Sequence, residues 1–217
     1  MVELAYGPGI PGERELRLLG PVDGKRVLAL GCRRPEPVLA LAEAGAKVMA
    51  VDQSSVRVDR TRQAAETAGL RVELHRADLA DLAFLRQESI DLVVSVYALA
   101  EVEDLNRVFR QVHRTLGPNN PIVFSLPHPA AALIGAAGPD GRPVVDRSYF
   151  DPSPLDGGPG PEGDHHHRIG AVFTSLSRAG FRLDVLLEPE PQRDDEIAAD
   201  RAWVPPTLIM RARKEGV

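Results

Sequence analysis

The sequence predicts an α/β protein with a doubly wound, seven-stranded, mostly parallel sheet closed by an antiparallel strand pair. Three observations predict it. Short apolar runs alternate with helical patterns between residues 26 and 126, as right-handed crossovers onto a parallel sheet require. The run Val27-Leu28-Ala29-Leu30 ends in Gly31-Cys32, and the next, Val48-Met49-Ala50-Val51, ends in Asp52. That acid falls about 20 residues after the turn glycine, where such folds hydrogen-bond a ribose diol. The last two apolar runs, 181–187 and 207–212, are joined by a stretch with no helical pattern. They are therefore expected to be antiparallel neighbours.

Residues 1–11, with Gly7-Pro8-Gly9, read as an extended arm, and 13–19 as a short helix stopped by Gly20-Pro21. Strands are expected at 26–30, 47–51, 71–75, 90–96 and 121–126, and helices at 36–44, 54–68 and 102–116. Pro35 or Pro37 suits the first turn of the 36–44 helix, where a missing N–H costs little. Gly45, Gly69 and Gly117 sit just past a helix, the place of a left-handed cap. Val102, Leu105, Val108, Phe109, Val112 and Leu116 recur at helical period and define a core face. After Pro127 the pattern breaks. Residues 129–164 are rich in Gly and Pro and read as an insertion in a single 1–217 domain, either a lid or a disordered loop, with 135–164 the most mobile or least regular segment of the chain. A helix at 169–178, closed by Gly180, precedes the final strands, and the acidic stretch between those strands reads as a surface loop.

Composition narrows the function. The 217 residues carry a net charge of −5, which disfavours general nucleic-acid binding because phosphate backbones are repelled. Aromatics are 5% of residues, so the core is built from Leu, Val and Ala. Cys32 is the single cysteine, so no intrachain disulfide can form, which fits a reducing compartment. No apolar run nears the ~20 residues that span a bilayer. The amino-terminal residues lack a basic-then-apolar signal pattern, and a cytoplasmic protein is expected. The sequence leaves a homodimer open.

Four segments resemble the class I S-adenosylmethionine-dependent methyltransferases, in their small single-domain type. VLALGC is similar to the family's first motif, usually V-L-D-L-G-C-G-x-G. VMAVDQS is similar to the second-strand motif, HRADLADL to the segment whose acid lies near the adenine amino group, and the stretch from SIDLVVSVYALAEV to PIVFSLP to the fourth strand, following helix and fifth strand. GFRLDVLLEP and TLIMRARK match the closing pair. The likeness spans residues 26–214 and implies a Rossmann-like sheet of order 3-2-1-4-5-7-6, with S-adenosylmethionine as cofactor. It implies a cofactor site of Gly31, Cys32, Asp52, Gln53, Asp78, Leu79 and Ser95, and no metal. Asp52 would take the ribose hydroxyls and Asp78 the adenine amino group.

The first motif departs from the family. Ala29 stands where the family has an acid, and Arg33 and Pro35 stand where it has glycines. Arg33 brings a cation toward a ligand already carrying a sulfonium and an ammonium, and Pro35 fixes φ and removes a donor. The adenosine half of the site is thus kept and the methionine half compromised.

Each candidate has a plainer reading. Asp52 could serve a helix N-terminus, Asp78 a turn. Ser95 and Tyr97 end the fourth strand at the ligand-binding edge; Tyr97 either lines the transfer channel or packs on the next helix. His128, between two prolines after the fifth strand, is a candidate general base or a turn histidine. His165-His166-His167 read as a solvated loop or helix cap more readily than a metal site. Cys32 reads as a packing group. Tyr6 on the arm, and Tyr149 and Phe150 in the insertion, are candidates for closing the site. The leading expectation is methyl transfer to a small-molecule acceptor. A non-catalytic member of the same fold is the alternative, and a nicotinamide-dependent oxidoreductase a remote one, since Gly31-x-Arg33-x-x-Glu36 lacks its glycines.

Overall fold

The computed structural model describes residues 2–136, 138–155, 163–192 and 203–216. Seven strands form one sheet: β1 (Arg26–Leu30), β2 (Lys47–Asp52), β3 (Val72–Arg76), β4 (Leu92–Val96), β5 (Pro121–Pro127), β6 (Phe181–Leu187) and β7 (Thr207–Lys214). Their order is β3-β2-β1-β4-β5-β7-β6. The first five run parallel, and β7 pairs antiparallel with both β5 and β6. The helices are α1 (Glu13–Leu16), α2 (Glu36–Glu43), α3 (Ser55–Thr67), α4 (Leu105–Thr115) and α5 (Ile169–Arg178).

Period-two alternation sorts the strand side chains onto two faces. Leu28 and Leu30 join Phe109, Val112, Phe124 and Leu176 under α4 and α5. Val27 and Ala29 join Leu41, Val94 and the arm residues Val2, Leu4 and Tyr6 on the other. Full burial of a Leu or Phe contributes about 1.5–3 kcal/mol each, so both faces hold the sheet firmly. Two side-chain caps fix helix starts above the carboxyl edge of the sheet. Ser54 accepts from Arg57 N, and Asp104 accepts from Asn106 N and Arg107 N.

Several expectations need correction. The fourth helix begins at Leu105, not 102, because Asp104 caps it; Ala98–Glu101 form a separate 3-10 turn. Gly45, Gly69 and Gly180 have positive φ, but Gly117 does not; past α4 the left-handed residue is Asn119. Tyr6 does not close a site. It is fully buried, and its hydroxyl donates to Glu13 Oε2, whose carboxylate also accepts from the Leu18 and Leu19 amides.

Of the 129–164 insertion, residues 137 and 156–162 lie outside the described residues, as do 193–202 of the acidic stretch before β7. The described part of the insertion holds one 3-10 turn, Ala131–Leu133, and two isolated bridges, Ile134 with Val145 and Leu155 with Asp164. Tyr149 and Phe150 contact each other, and Tyr149 lies against His166. With Asn106, Arg168 and Gly170, Tyr149 borders a shallow hollow beside α5. A cavity of about 820 Å³ opens at the amino ends of β1, β2 and β3, beside Arg26, Lys47 and Arg71. It is on the wrong edge for a doubly wound sheet, which binds ligands at its carboxyl ends. No helix of the described residues is long and apolar enough to cross a membrane.

Candidate active site

The winding reverses between β1 and β4, since β2 and β3 lie to one side and β5 to the other. The crevice above that switch point is where such a sheet takes its ligand. Its walls are the turn after β1 and the turn after β4, and they touch. Gly31 has φ +87°, and a Cβ added there would stand 1.9 Å from Ala98 Cβ. Only glycine permits both this backbone and this approach. Below, Ser95 Oγ donates to Leu30 O at 2.8 Å, tying β4 to β1. Above, Tyr97 adopts the left-handed conformation at φ 58°, uncommon for a bulky residue.

Asp52 sits at the tip of β2, as expected, with 2% of its surface exposed. Its Oδ2 accepts from Cys32 N at 2.6 Å, and its Oδ1 accepts from Ser54 N at 2.8 Å with Arg57 Nε 3.2 Å away. The acid therefore braces the first turn and the start of α3, which is the helix N-terminus reading. Arg57 continues to Glu101, with Nη1 and Nη2 at 2.6 and 2.7 Å from the two carboxylate oxygens. Such a bidentate pair fixes geometry as well as charge.

Arg33 crosses the crevice. Its Nε lies 2.7 Å from Glu101 Oε1, its Nη1 donates to Tyr97 O at 3.0 Å, and its Nη2 donates to Asp164 Oδ1 at 2.5 Å. The side chains of Arg33, Glu101 and Asp164 are 11%, 4% and 12% exposed. Arg60 donates to the carbonyls of Cys32 and Arg33, pinning the turn from outside. Pro35 caps α2, with Pro37 in its first turn.

The remaining candidates are spread around this cluster. Gln53 and Asp78 are exposed, and Asp78 Oδ1 accepts from Ala80 N at 2.8 Å. Leu79 is buried in the core, its Cδ1 3.9 Å from a Cβ built on Gly31. Tyr97 is half-buried, with its hydroxyl 2.5 Å from Thr207 Oγ1, directed at the β7 side. His128 is buried. Its Nδ1 accepts from Ala130 N at 3.1 Å, which leaves the ring proton on Nε2, 2.8 Å from Glu188 Oε1. Both ring nitrogens are engaged, so a role as base requires that arrangement to open. Cys32 is buried, and burial, then the Asp52 carboxylate, push its thiol up to about 12. It stays protonated at neutral pH and is a packing group. Among the described residues no group of three His, Cys, Asp or Glu side chains is placed to hold a metal ion.

The histidine run lies against the β4 turn. His165 N donates to Ala100 O at 2.7 Å. Burial first, and the nearby His165 second, push the His167 imidazole down to about 4. An unfolded histidine titrates near 6.5. Between these values the unfolded chain binds a proton that the folded protein refuses. Stability should therefore be level above pH 6.5 and fall as the pH drops toward 4. For this half-buried ring the loss between pH 7 and 4.5 is expected to be about 2 kcal/mol. His166 and His113 are shifted in the same direction by burial, so the comparison is with His167→Gln. Urea unfolding should show a flatter pH dependence for the variant; equal slopes would refute the assignment.

Glu101, Arg57 and Asp164 were not among the sequence-derived candidates, although Arg33 stood out as a misfit. Nothing in the local sequence marks them, because the cluster joins four separate segments.

A doubly wound sheet of this order, with an acid at the tip of β2 and an antiparallel closing pair, defines the class I methyltransferase fold. A family model described as "Methyltransferase domain" matches residues 27–119. A solved S-adenosylmethionine-dependent methyltransferase from Mesorhizobium loti is 32% identical, covering 91% of this chain and 94% of that one, with a TM-score of 0.76. The cypemycin N-terminal methyltransferase of a Streptomyces species is 33% identical over 129 residues, 58% of this chain. The ubiquinone biosynthesis O-methyltransferase of Bordetella avium is 30% identical over 108 residues, 50% of this chain. Those two alignments span 50% and 45% of the relatives' own lengths. The chain belongs to the class I S-adenosylmethionine-dependent methyltransferase family.

The crevice matches the family's cofactor only in part. The edge near Gln53 and Asp78 is open, and Asp78 offers an acceptor oxygen. The centre is not open: the Arg33 guanidinium spans it, and Asp52 lies beneath Arg57. In this arrangement the residues do not fit a whole S-adenosylmethionine.

Proposed function

We propose that the protein transfers a methyl group from S-adenosylmethionine to a small-molecule acceptor. The likeness to the Mesorhizobium loti enzyme over nine-tenths of the chain carries this reading. Asp52 at the tip of β2 and Asp78 after β3 support the adenosine end of the site. Ala29 turns into the apolar face with Val27 and Leu41, so it supplies no polar group to the ligand.

The acceptor class rests on the roof over the carboxyl edge. Asp164 and His165 reach the β1 and β4 turns, and His128 N donates to Pro206 O at 3.0 Å. A roofed site favours an acceptor small enough to be enclosed, and enclosure removes water from the reacting groups. Relatives act on different acceptors by name, one in ubiquinone biosynthesis and one at the cypemycin N-terminus. The net charge of −5 speaks against a polyanionic partner. The site draws its residues from one chain, so the proposal does not depend on a homodimer. The same closed crevice would suit a non-catalytic role, but the family membership weighs for the enzyme. A nicotinamide-dependent reaction has neither the glycine triplet nor the family in its favour.

Incubation with methyl-tritiated S-adenosylmethionine and a panel of phenols, catechols, amines and short peptides tests the reading. Label is expected in a low-mass, non-peptide product. Label in peptides alone would refute the acceptor class, and no transfer together with no cofactor binding at millimolar concentration would refute the activity.

A further inference from the structure

The Arg33 guanidinium occupies the switch-point crevice as a ligand would. It is nearly enclosed, it bridges the β1 turn to the β4 turn through Tyr97 O, and its charge is met by two carboxylates from distant segments, Glu101 and Asp164. Two of its nitrogens are hydrogen-bonded, Nη1 to Tyr97 O and Nη2 to Asp164 Oδ1, while Nε meets Glu101 as an ion pair without a hydrogen bond. We propose that Arg33 is a cationic latch that closes the cofactor crevice, held by Glu101 and Asp164, so that the site as built does not fit the methionyl end of S-adenosylmethionine. This rests on the reading that S-adenosylmethionine is the cofactor.

Charge decides against joint occupancy. Asp52, Glu101 and Asp164 face Arg33 and Arg57 in the cluster, with Arg60 bonded to the turn carbonyls. The methionyl end of the cofactor carries an ammonium, a sulfonium and a carboxylate, one net positive charge. Adding it beside the guanidinium would bring like charges together without solvent to screen them. Withdrawal is local: Arg33 lies in the turn between β1 and α2, in neither element, so its side chain can leave while Gly31 and Asp52 keep the turn in place.

The latch has a definite consequence. A ligand with the adenosine but not the methionine should not have to displace Arg33. Titration calorimetry of the full chain with S-adenosylmethionine and with adenosine, on the wild type, Arg33→Gly and Arg33→Gln, separates the possibilities. The glutamine variant is neutral and retains donors for Tyr97 O and the carboxylates, so it guards against misfolding of the glycine variant. Circular dichroism establishes that each variant is folded. Both variants are expected to bind S-adenosylmethionine at least tenfold more tightly than wild type, with adenosine affinity unchanged within about threefold. Equal S-adenosylmethionine affinity in all three, with adenosine bound, overturns the latch and leaves the cofactor reading standing. Failure of all three to bind either ligand removes the cofactor reading and the latch with it.

Discussion

Gly31→Ala is expected to destabilise the protein by about 2–5 kcal/mol, lowering the melting temperature by roughly 10 °C. Two costs combine. At φ +87° an alanine pays the left-handed penalty, about 1–2 kcal/mol. Its Cβ would stand 1.9 Å from Ala98 Cβ, and Ala98 is 2% exposed on a turn packed into the core. Forcing the two turns apart is overpacking, about 1–3 kcal/mol. The pair Gly31→Ala with Ala98→Gly separates these terms, because removing the opposing methyl relieves the clash and not the backbone penalty. Chemical unfolding of the two single variants and the double variant gives the coupling. A loss below about 1 kcal/mol for Gly31→Ala would mean that the two turns do not meet as described.

Glu101→Ala is expected to cost about 3–5 kcal/mol, the usual penalty for removing one partner of a buried ion pair. Its carboxylate is 4% exposed and answers two guanidinium groups, Arg33 and Arg57, each about one-tenth exposed on the side chain. Removal leaves Arg33 with Asp164 alone and Arg57 with Asp52 alone, two cations short of a partner in an enclosed crevice. Glu101→Gln keeps an oxygen for Arg57 and should cost clearly less. Because the cluster is enclosed, the loss should change little between 0.1 and 1 M salt, unlike that of a surface pair. A loss under 1 kcal/mol, or one abolished by salt, would place Glu101 in solvent and dismantle the cluster. The two predictions act on the same crevice from different sides, Gly31 on its floor and Glu101 on its bridge.

The fold was largely legible because its signals are local. Apolar runs of the right length, breaks at Gly45, Gly69 and Gly180, and the acid at residue 52 give strand, helix and turn without knowledge of what packs where. The closing pair β6 and β7 was legible because the chain between them offers no helix to cross over. The start of α4 was misplaced by three residues because Val102 fits the helical period, while the Asp104 cap, a stronger constraint, outweighs it. Spacing alone placed Asp52 at the tip of β2. Its partners were not, since a carboxylate in sequence shows what it can accept and not which donor reaches it.

The sequence by itself determined the sheet, its order, the family and the fact that the first turn departs from the family pattern. It also showed that Arg33 brings a positive charge toward the ligand edge. Only the tertiary structure decided where that charge goes. Arg33 meets Tyr97, Glu101 and Asp164, the last of them 131 residues away, and Arg57 meets Glu101 across 44. Helical and strand periods constrain neighbours a few residues apart, so they place each residue on an element and a face. Ion pairing inside a crevice depends on which turns the sheet order brings together, and the switch between β1 and β4 makes these four segments one site.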